Sequence, residues 1–542
     1  MSGDNASRLR SSREQGATVK DWGGKIPIAL IFPNTYHVGM SSLGFQTIYS
    51  LLNSYSNIVC ERVFSNENGR SVESGRPLDD FAVLAFSLSN ELDYFNAIEI
   101  LASSSIPLKS DERDHSHPII IAGGPCITAN PEPLAPFFDA FAIGEGESIL
   151  PSFVDIITET DDGDRDELLK KLTGINGIYV PQINDGRTVM RQWVRNLDDF
   201  ATTSAVLTDD TEFSNMYVVE IARGCPWGCR FCLAGYLFRP FRCRSADKLL
   251  EQCRKGLELT RKIGLLGACV SDHPEIDDIV SRLSGMDAVI SVSSLRVKPI
   301  SDTVLRALKE SGTGNLTLAP EAGSERLRRA INKGINREDI ISAADKIIDA
   351  DFRQLKLYFM IGLPTETEDD IEEIITLASE IKERAERRRS GCRIILAIEP
   401  FVPKAGTPFQ RLPMTGEKIL RQRLAYLKRH LEKRGIEVRS ESVPWAGVQA
   451  VLSRGDQRLA PVLTRVAQNR SLSTWRQALT EYYLDADDYI GREIPSDERL
   501  PWDYIDSGIK SSYLETEVER ASAGRTTPPC PIGIECHKCG VC

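Results

Sequence analysis

The sequence predicts an α/β protein made of two successive parallel-sheet domains and a small cysteine-rich C-terminal region. Three observations carry this. Short apolar runs alternate with helical segments from residue 25 to 160, six further strand–helix units follow between 211 and 440, and cysteines gather at 225–232 and 530–542. Strands alternating with helices build parallel sheets covered by helices. A chain of 542 residues is too long for one core and divides into domains.

In the first domain, residues 25–160, Ile26–Phe32 is an apolar run ending in Pro-Asn-Thr, which predicts a buried strand and a loop. Leu43, Ile48, Leu51 and Leu52 have helical spacing within Ser41–Asn53. Further strands are predicted at Phe81–Leu88, Pro118–Ala122 and Phe138–Ile143, with helices after the first and last of these. Doubly wound sheets bind ligands at the carboxyl ends of their strands. Those ends carry small and polar residues here: Asn34-Thr35, Ser87-Leu88-Ser89, Gly123-Gly124 and Gly144-Glu145-Gly146. Loops of this kind favour Gly and Ser in any case; four on one edge favour a cofactor crevice. Residues 161–210 form a connector with an acidic stretch, Asp161–Asp166, and a hairpin expected around Asn184-Asp185-Gly186.

The second alternation predicts strands at Met216–Ala222, Gly264–Val270, Ala288–Val292, Asn315–Leu318, Gln354–Met360 and Arg393–Ile398, with helices such as Ala246–Lys262 and Asp369–Arg384 between them. Six units suggest an incomplete parallel barrel, with its chemistry at the carboxyl ends of the strands. Residues 441–542 form a C-terminal region with a helix expected at Trp475–Tyr483.

Composition narrows the function. Net charge is −11, so a broad basic surface for nucleic acid is not expected. The run Arg384–Arg389 sits on an expected helix and reads as a solvated face. No apolar run is long enough to span a bilayer. Residues 1–24 read as a disordered tail, not a secretory leader, and a cytoplasmic location is expected. Of 13 cysteines, three lie within 225–232 and four within 530–542. Clustered cysteines without a secretion signal argue for metal and against disulfides.

The strongest motif is Arg223-Gly-Cys225-Pro-Trp-Gly-Cys229-Arg-Phe-Cys232. Three thiolates leave one iron of a four-iron–four-sulfur cluster open, and an amino acid's amine and carboxylate can chelate it. Three buried cysteines, or three of four zinc ligands, are the alternatives; the spacing, the preceding strand and Phe231 disfavour them. Cys530, Cys536, Cys539 and Cys542 supply four soft ligands, suited to tetrahedral iron or zinc or to a second cluster. Cys60, Cys126, Cys243, Cys253, Cys269 and Cys392 default to core packing.

The cysteine segment resembles the radical S-adenosylmethionine superfamily, over about residues 216–440. The resemblance implies a cluster held by Cys225, Cys229 and Cys232, with Phe231 beside the cofactor. It implies methionine-binding groups at Ser271 and Asp272, although the superfamily's Gly-Gly-Glu is not present there. Ser293-Ser294-Leu295-Arg296 ends the third strand, with Ser293 and Arg296 assigned to the cofactor. Met360-Ile361-Gly362-Leu363-Pro364 ends the fifth, where Ile361 and Gly362 are expected to pack the adenine. Pro400–Pro408 follows the sixth, as in many relatives. Glu321 and Tyr358 are the residues expected to line the reaction cavity. A barrel salt bridge is the other reading of Glu321.

The first domain resembles the Rossmann-like cobalamin-binding domain fused upstream in one radical subfamily. That implies cobalamin contacts from Asn34, Thr35, Tyr36, Met40, Ser87, Ser89, Gly123, Gly124, Pro125, Gly144, Glu145 and Gly146. The Asp-x-His-x-x-Gly signature of histidine ligation is not matched at His37, which reads as an ordinary loop residue. The two resemblances together imply a cobalamin-dependent radical C-methyltransferase acting on an unactivated carbon, with cofactors iron–sulfur cluster, S-adenosylmethionine and cobalamin, and an additional iron or zinc in the tail. The whole chain is similar to archaeal enzymes that methylate the α-carbon of a glutamine in methyl-coenzyme M reductase. The implied partners are that protein's α subunit or a peptide from it, and an external electron donor; no membrane is expected. An RNA-modifying enzyme and a non-catalytic iron–sulfur or cobalamin carrier are the alternatives.

Overall fold

A computed structural model describes residues 14–542 apart from 68, 161–163, 184–185, 294, 299 and 532–535. Ser294, Asp161 and the Asn184-Asp185 turn therefore lie outside the described residues. The chain forms two compact units. One runs through Met216 and includes Leu452–Ala486 and Arg499–Gly508; the other comprises Tyr217–Val451, Asp487–Glu498 and Ile509–Cys542. The stretch 441–542, expected as one region, is thus divided between them.

The first unit contains a six-stranded sheet. Its strands are β1 (Ile26–Phe32), β2 (Ile58–Phe64), β3 (Val83–Ser87), β4 (Ile119–Gly123), β5 (Ala140–Ala142) and β6 (Ile178–Tyr179). Their order is β2-β1-β3-β4-β5-β6. The first five are parallel and β6 is antiparallel. Parallel strands covered on both faces read as continuous apolar runs, and β1 and β4 are buried almost throughout. The order 2-1-3-4-5 reverses direction between β1 and β3, the place where open α/β sheets bind ligands.

The sequence reading missed β2 because Glu61 and Arg62 interrupt its apolar run. Both charges are buried and paired. Arg62 bonds Glu14 (2.7 Å) and Glu73 (2.7 Å); Glu61 accepts from Trp22 Nε1 (2.7 Å) and Ser74 Oγ (2.5 Å). Buried charges persist only when paired in this way. The same network corrects the expected tail from residue 14 onward; residues 1–13 lie outside the described residues. Glu14 is buried against Arg62, and Gln15 exchanges backbone hydrogen bonds with Leu207 (3.0 and 2.8 Å).

The second unit holds seven parallel strands in two hydrogen-bonded sets. Tyr217–Glu220, Lys262–Leu266 and Val289–Val292 form one; Asn315–Glu321, Gln354–Ile361, Arg393–Pro400 and Glu437–Ser440 form the other. The six expected strands are present. The seventh, Glu-Val-Arg-Ser, is too short and polar to show a strand pattern. Helices separate the strands and begin at side-chain caps. Ser245 and Ser301 accept from the third residue of their helices, and Asn336 and Thr367 head capping boxes. The basic run begins in the last turn of helix Glu368–Arg387 and continues past its end, exposed from Glu386 to Arg389. Arg384 and Arg388 pair with Asp345 (2.9 and 3.1 Å), and Arg388 also with Asp349 (2.8 Å).

Candidate active site

Cys225, Cys229 and Cys232 lie on the loop leaving the first barrel strand. Gly224 turns the chain at φ +82°, and a Cβ there would strike the carbonyl oxygen of Phe238. Cys232 N donates to Cys229 O (3.0 Å), Gly235 N donates to Cys232 O (3.2 Å), and a short helix, Leu233–Leu237, follows. Buried arginines bind the loop's surroundings. Arg230 donates to the carbonyls of Arg329 (3.0 Å), Ala330 (2.7 Å) and Arg525 (2.8 Å) and pairs with Glu517 (3.0 Å). Arg239 Nε donates to Gly235 O (2.8 Å), and its guanidinium lies 4.4 Å from the centre of the Tyr236 ring.

Burial pushes the thiol of Cys229 up and that of Cys232 up to about 12. Cys225 is held down at about 7, because the thiol of Cys269 hydrogen-bonds it. Cys269 also lies 3.8 Å from the carbonyl of Gly224. The sequence places Cys269 in the core, where it is buried, and nothing in the chain order ties it to Cys225. Three soft donors on one loop, with Lys333 and Arg296 in charge range of Cys229, fit an anionic iron–sulfur cluster with three protein ligands.

Beside the loop stands a polar constellation. Trp227 Nε1 donates to Asp272 Oδ1 (2.8 Å). Arg296 lies over the Trp227 ring at 3.8 Å and meets Asp272 Oδ2 at 3.5 Å. That oxygen is buried and has no hydrogen bond, and burial raises the Asp272 carboxyl above its usual range. Ser271 Oγ accepts from Arg296 N (3.1 Å). Exposed Ser293 is bonded to the backbone of Gly267 (3.1 and 3.2 Å). Trp227 and Arg296 extend the expected Ser271–Asp272 pair into a connected group.

Glu321 ends the fourth barrel strand at a break in register, with φ +68°. A non-glycine residue in that region carries strain on the order of 1–3 kcal/mol. Its carboxylate pairs with Lys333 at 3.0 Å, so the salt-bridge reading holds. Tyr358 accepts from Lys356 Nζ (3.0 Å) and is half-buried. The adenine contact is expected at Ile361 and Gly362. Both are buried, and their backbone groups are committed: Ile361 O to Phe401 N (2.9 Å), Gly362 N to Glu366 (2.5 Å), and Gly362 O to Thr415 Oγ1 (3.1 Å). Phe231 and Met360, half-buried, share one apolar cluster with Leu363, Phe401 and Phe409.

In the first unit, the carboxyl edge is open at β1, β3 and β4. Thr35 and Ser89 are exposed; Asn34, Ser87, Gly123, Gly124 and Pro125 are partly so. Asn34 Nδ2 donates to Asp93 Oδ1 (2.9 Å), and burial pushes the Asp93 carboxyl up to about 6. Asp93 was not singled out in the sequence, because one acid at a helix start carries no signal. Other residues expected as contacts are engaged within the unit. Tyr36 is buried with its hydroxyl on Glu14, and Met40 is buried beside Arg62, whose Nη1 lies 3.3 Å from its sulfur. At β5, Glu145 accepts from Val194 N (2.9 Å), a Cβ on Gly144 would strike Gln192, and one on Gly146 would meet Ile48. The chain at 192–194 covers this end of the edge. His37, expected in a loop, lies in the short helix Tyr36–Met40 and is held by Asp210 (3.1 Å) and Glu212 (3.3 Å).

In the tail, Cys530 lies within charge range of Cys536, Cys539 and Cys542. Cys539 is buried, and its carbonyl accepts from Lys510 N (2.8 Å). Among the described residues, no three His, Cys, Asp or Glu side chains converge as ligands of one metal ion do.

A strand-end loop of three cysteines among parallel sheets fits an iron–sulfur protein of the radical type, and the comparisons agree. A model of the radical SAM superfamily matches residues 219–378, and one of the N-terminal region of radical SAM proteins matches 44–181. The chain belongs to the radical S-adenosylmethionine superfamily, as a radical S-adenosylmethionine enzyme. It is 31% identical over 474 residues to the uncharacterised protein MJ0966 of Methanocaldococcus jannaschii, covering 86% of this chain and 96% of that one. It is 27% identical to the uncharacterised methyltransferase PH0819 of Pyrococcus horikoshii, over 48% of this chain and 58% of that protein. A tRNA-2-methylthio-N(6)-dimethylallyladenosine synthase of Marinomonas is 26% identical over 44% of this chain and 53% of its own length. Among solved structures, the cobalamin-dependent S-adenosylmethionine radical enzyme OxsB shares the fold, with TM-score 0.51, 14% identity, and coverage of 85% of this chain and 71% of OxsB. No described helix is long and apolar enough to cross a membrane.

Proposed function

We propose that this chain is a cobalamin-dependent radical C-methyltransferase whose target is an unactivated sp3 carbon, the α-carbon of a glutamine in methyl-coenzyme M reductase. The observation that carries the reading is the sheet of the first unit. Its strand order reverses between β1 and β3, and its carboxyl edge is open there, on the same chain as the radical barrel. Small polar side chains at Asn34, Thr35, Ser87 and Ser89, with Gly123-Gly124, fit the nucleotide tail of cobalamin. Likeness to the Pyrococcus methyltransferase supports the reaction class. When bound, the cluster and S-adenosylmethionine supply a deoxyadenosyl radical and cobalamin supplies the methyl group.

The protein's part is to bind and orient. Asp272, whose Oδ2 has an ion pair with Arg296 (3.5 Å) but no hydrogen bond, offers that oxygen to the cationic amine of S-adenosylmethionine, while Trp227 holds its Oδ1. Phe231 and Met360 supply an apolar wall. Lys333 holds the Glu321 side chain in place, and Lys356 orients the Tyr358 hydroxyl. A tightly placed peptide loop meets the near-attack demand of radical transfer.

An RNA substrate is the second reading, favoured by the tRNA synthase relative; the net charge of −11 argues against it. The test uses full-length protein, cobalamin, reductant, methyl-deuterated S-adenosylmethionine and a peptide spanning the reductase glutamine. The peptide should gain one labelled methyl group. Deoxyadenosine formation with no change in peptide mass rejects the substrate and leaves the radical chemistry standing.

A further inference from the structure

We propose that Arg470 binds a phosphodiester at the open edge between β1 and β3, namely the phosphate in the nucleotide tail of cobalamin. This rests on the cobalamin reading above and not on the identity of the methyl acceptor.

Arg470 reaches this edge from far along the chain. It lies between helices Ala460–Gln468 and Leu472–Glu481, in the stretch 452–486 that belongs to the first unit. The earlier of these helices packs against Tyr94–Ala102, the helix that follows β3. Both neighbours of Arg470 are fixed. Asn469 N donates to Val466 O (3.1 Å), and Ser471 Oγ caps the second helix by accepting from Thr474 N (3.0 Å).

The guanidinium meets two side chains of Tyr94–Ala102. Nη1 donates to Asn96 Oδ1 at 2.9 Å, across 374 residues of sequence, and Cζ lies 5.5 Å from the centre of the Phe95 ring. Phe95 is buried and set edge-on to Trp475 (6.0 Å, 82°). Asn96 Nδ2 donates in turn to Pro33 O (2.8 Å), and Pro33 precedes Asn34 at the carboxyl end of β1. The cation is thereby tied to the place where the strand order reverses.

The charges at this edge suit an anion. Asp93 lies in charge range of Arg470 but is buried behind Asn34, whose Nδ2 donates to Asp93 Oδ1 (2.9 Å). Asn34 Oδ1 accepts from Thr35 N (2.8 Å). Thr35 and Ser89, exposed on the same edge, are neutral and offer hydroxyl donors. Arg470 is itself exposed, and its planar fork matches the oxygens of a phosphate. Docking one helix on another needs no cation at the solvent edge; holding an anion on a chain of net charge −11 does.

The test measures binding of two corrinoids to the full-length protein by equilibrium dialysis, read from corrin absorbance. Hydroxocobalamin carries the nucleotide tail and its phosphate; cobinamide lacks both. Wild type should bind hydroxocobalamin the more tightly. Arg470→Met should weaken hydroxocobalamin binding by about tenfold or more and leave cobinamide within about twofold. Arg470→Lys, which keeps the charge without the fork, should fall between them, and it takes the place of the Met variant should that one not fold. Equal loss of both corrinoids, or loss of neither, overturns the phosphate contact. A wild-type chain that binds both equally overturns it too and leaves the cobalamin reading standing. A wild-type chain that binds neither overturns the cobalamin reading with it.

Discussion

Glu517→Gln tests how the C-terminal helix Ser511–Ser522 secures the cysteine loop. Arg230 and Glu517 are both wholly buried and meet at 3.0 Å. Removing one partner of a buried ion pair costs about 3–5 kcal/mol, because the other charge is left uncompensated. Arg230 keeps three carbonyl acceptors, at 3.0, 2.7 and 2.8 Å, which hold the cost near the lower end, about 3 kcal/mol. Gln keeps the shape and still accepts from Thr527 Oγ1, now at 2.7 Å. For a unit of this size about 2–4 °C of Tm accompanies each kcal/mol, so the iron-loaded protein should melt roughly 6–12 °C lower. The assay is anaerobic thermal unfolding of the reconstituted protein, with iron retention followed in parallel. A change under about 1 °C would show that the ion pair does not hold the loop, and would refute the reasoning.

Asp93→Asn should change the pH dependence of the first unit. Burial raises the Asp93 carboxyl from 3.8 to about 6, so its contribution to stability is full below about pH 4 and is lost as pH rises through 6. The variant should match wild type at pH 4 and exceed it at pH 8 by up to about 3 kcal/mol; a difference independent of pH would contradict the cause. Asp272→Asn should weaken S-adenosylmethionine binding by about tenfold or more in equilibrium dialysis, since a charge-assisted bond is worth about 1.5–3 kcal/mol. Lys333→Met should lower deoxyadenosine formation without loss of iron, by leaving Glu321 unpaired beside the cysteine loop; unchanged rates would show the pair to be structural only.

Periodicity exposed most of the architecture. The β1, β3 and β4 runs are apolar because both faces are covered, whereas Asn315–Glu321 and Gln354–Ile361 in the second unit alternate buried and half-buried positions. Where charge entered a strand, the pattern failed: β2 contains Glu61 and Arg62, legible as buried only once Glu14, Glu73, Trp22 and Ser74 surround them. The three cysteines of the loop were legible because their ligand spacing is local. Cys269, Lys333 and Arg239 were not, since they reach the loop through the fold, from positions that share no pattern with it. The edge residues divide for a similar reason. Asn34 and Ser89 remain open, whereas Tyr36, Met40 and Glu145 look identical in sequence yet meet Glu14, Arg62 and Val194, partners distant in the chain.

The most direct test of the radical assignment is deoxyadenosine release on anaerobic incubation with S-adenosylmethionine and dithionite. The reconstituted wild-type chain should release it, and Cys225→Ala/Cys229→Ala/Cys232→Ala should release none while remaining folded. Equal release from that variant would contradict the account.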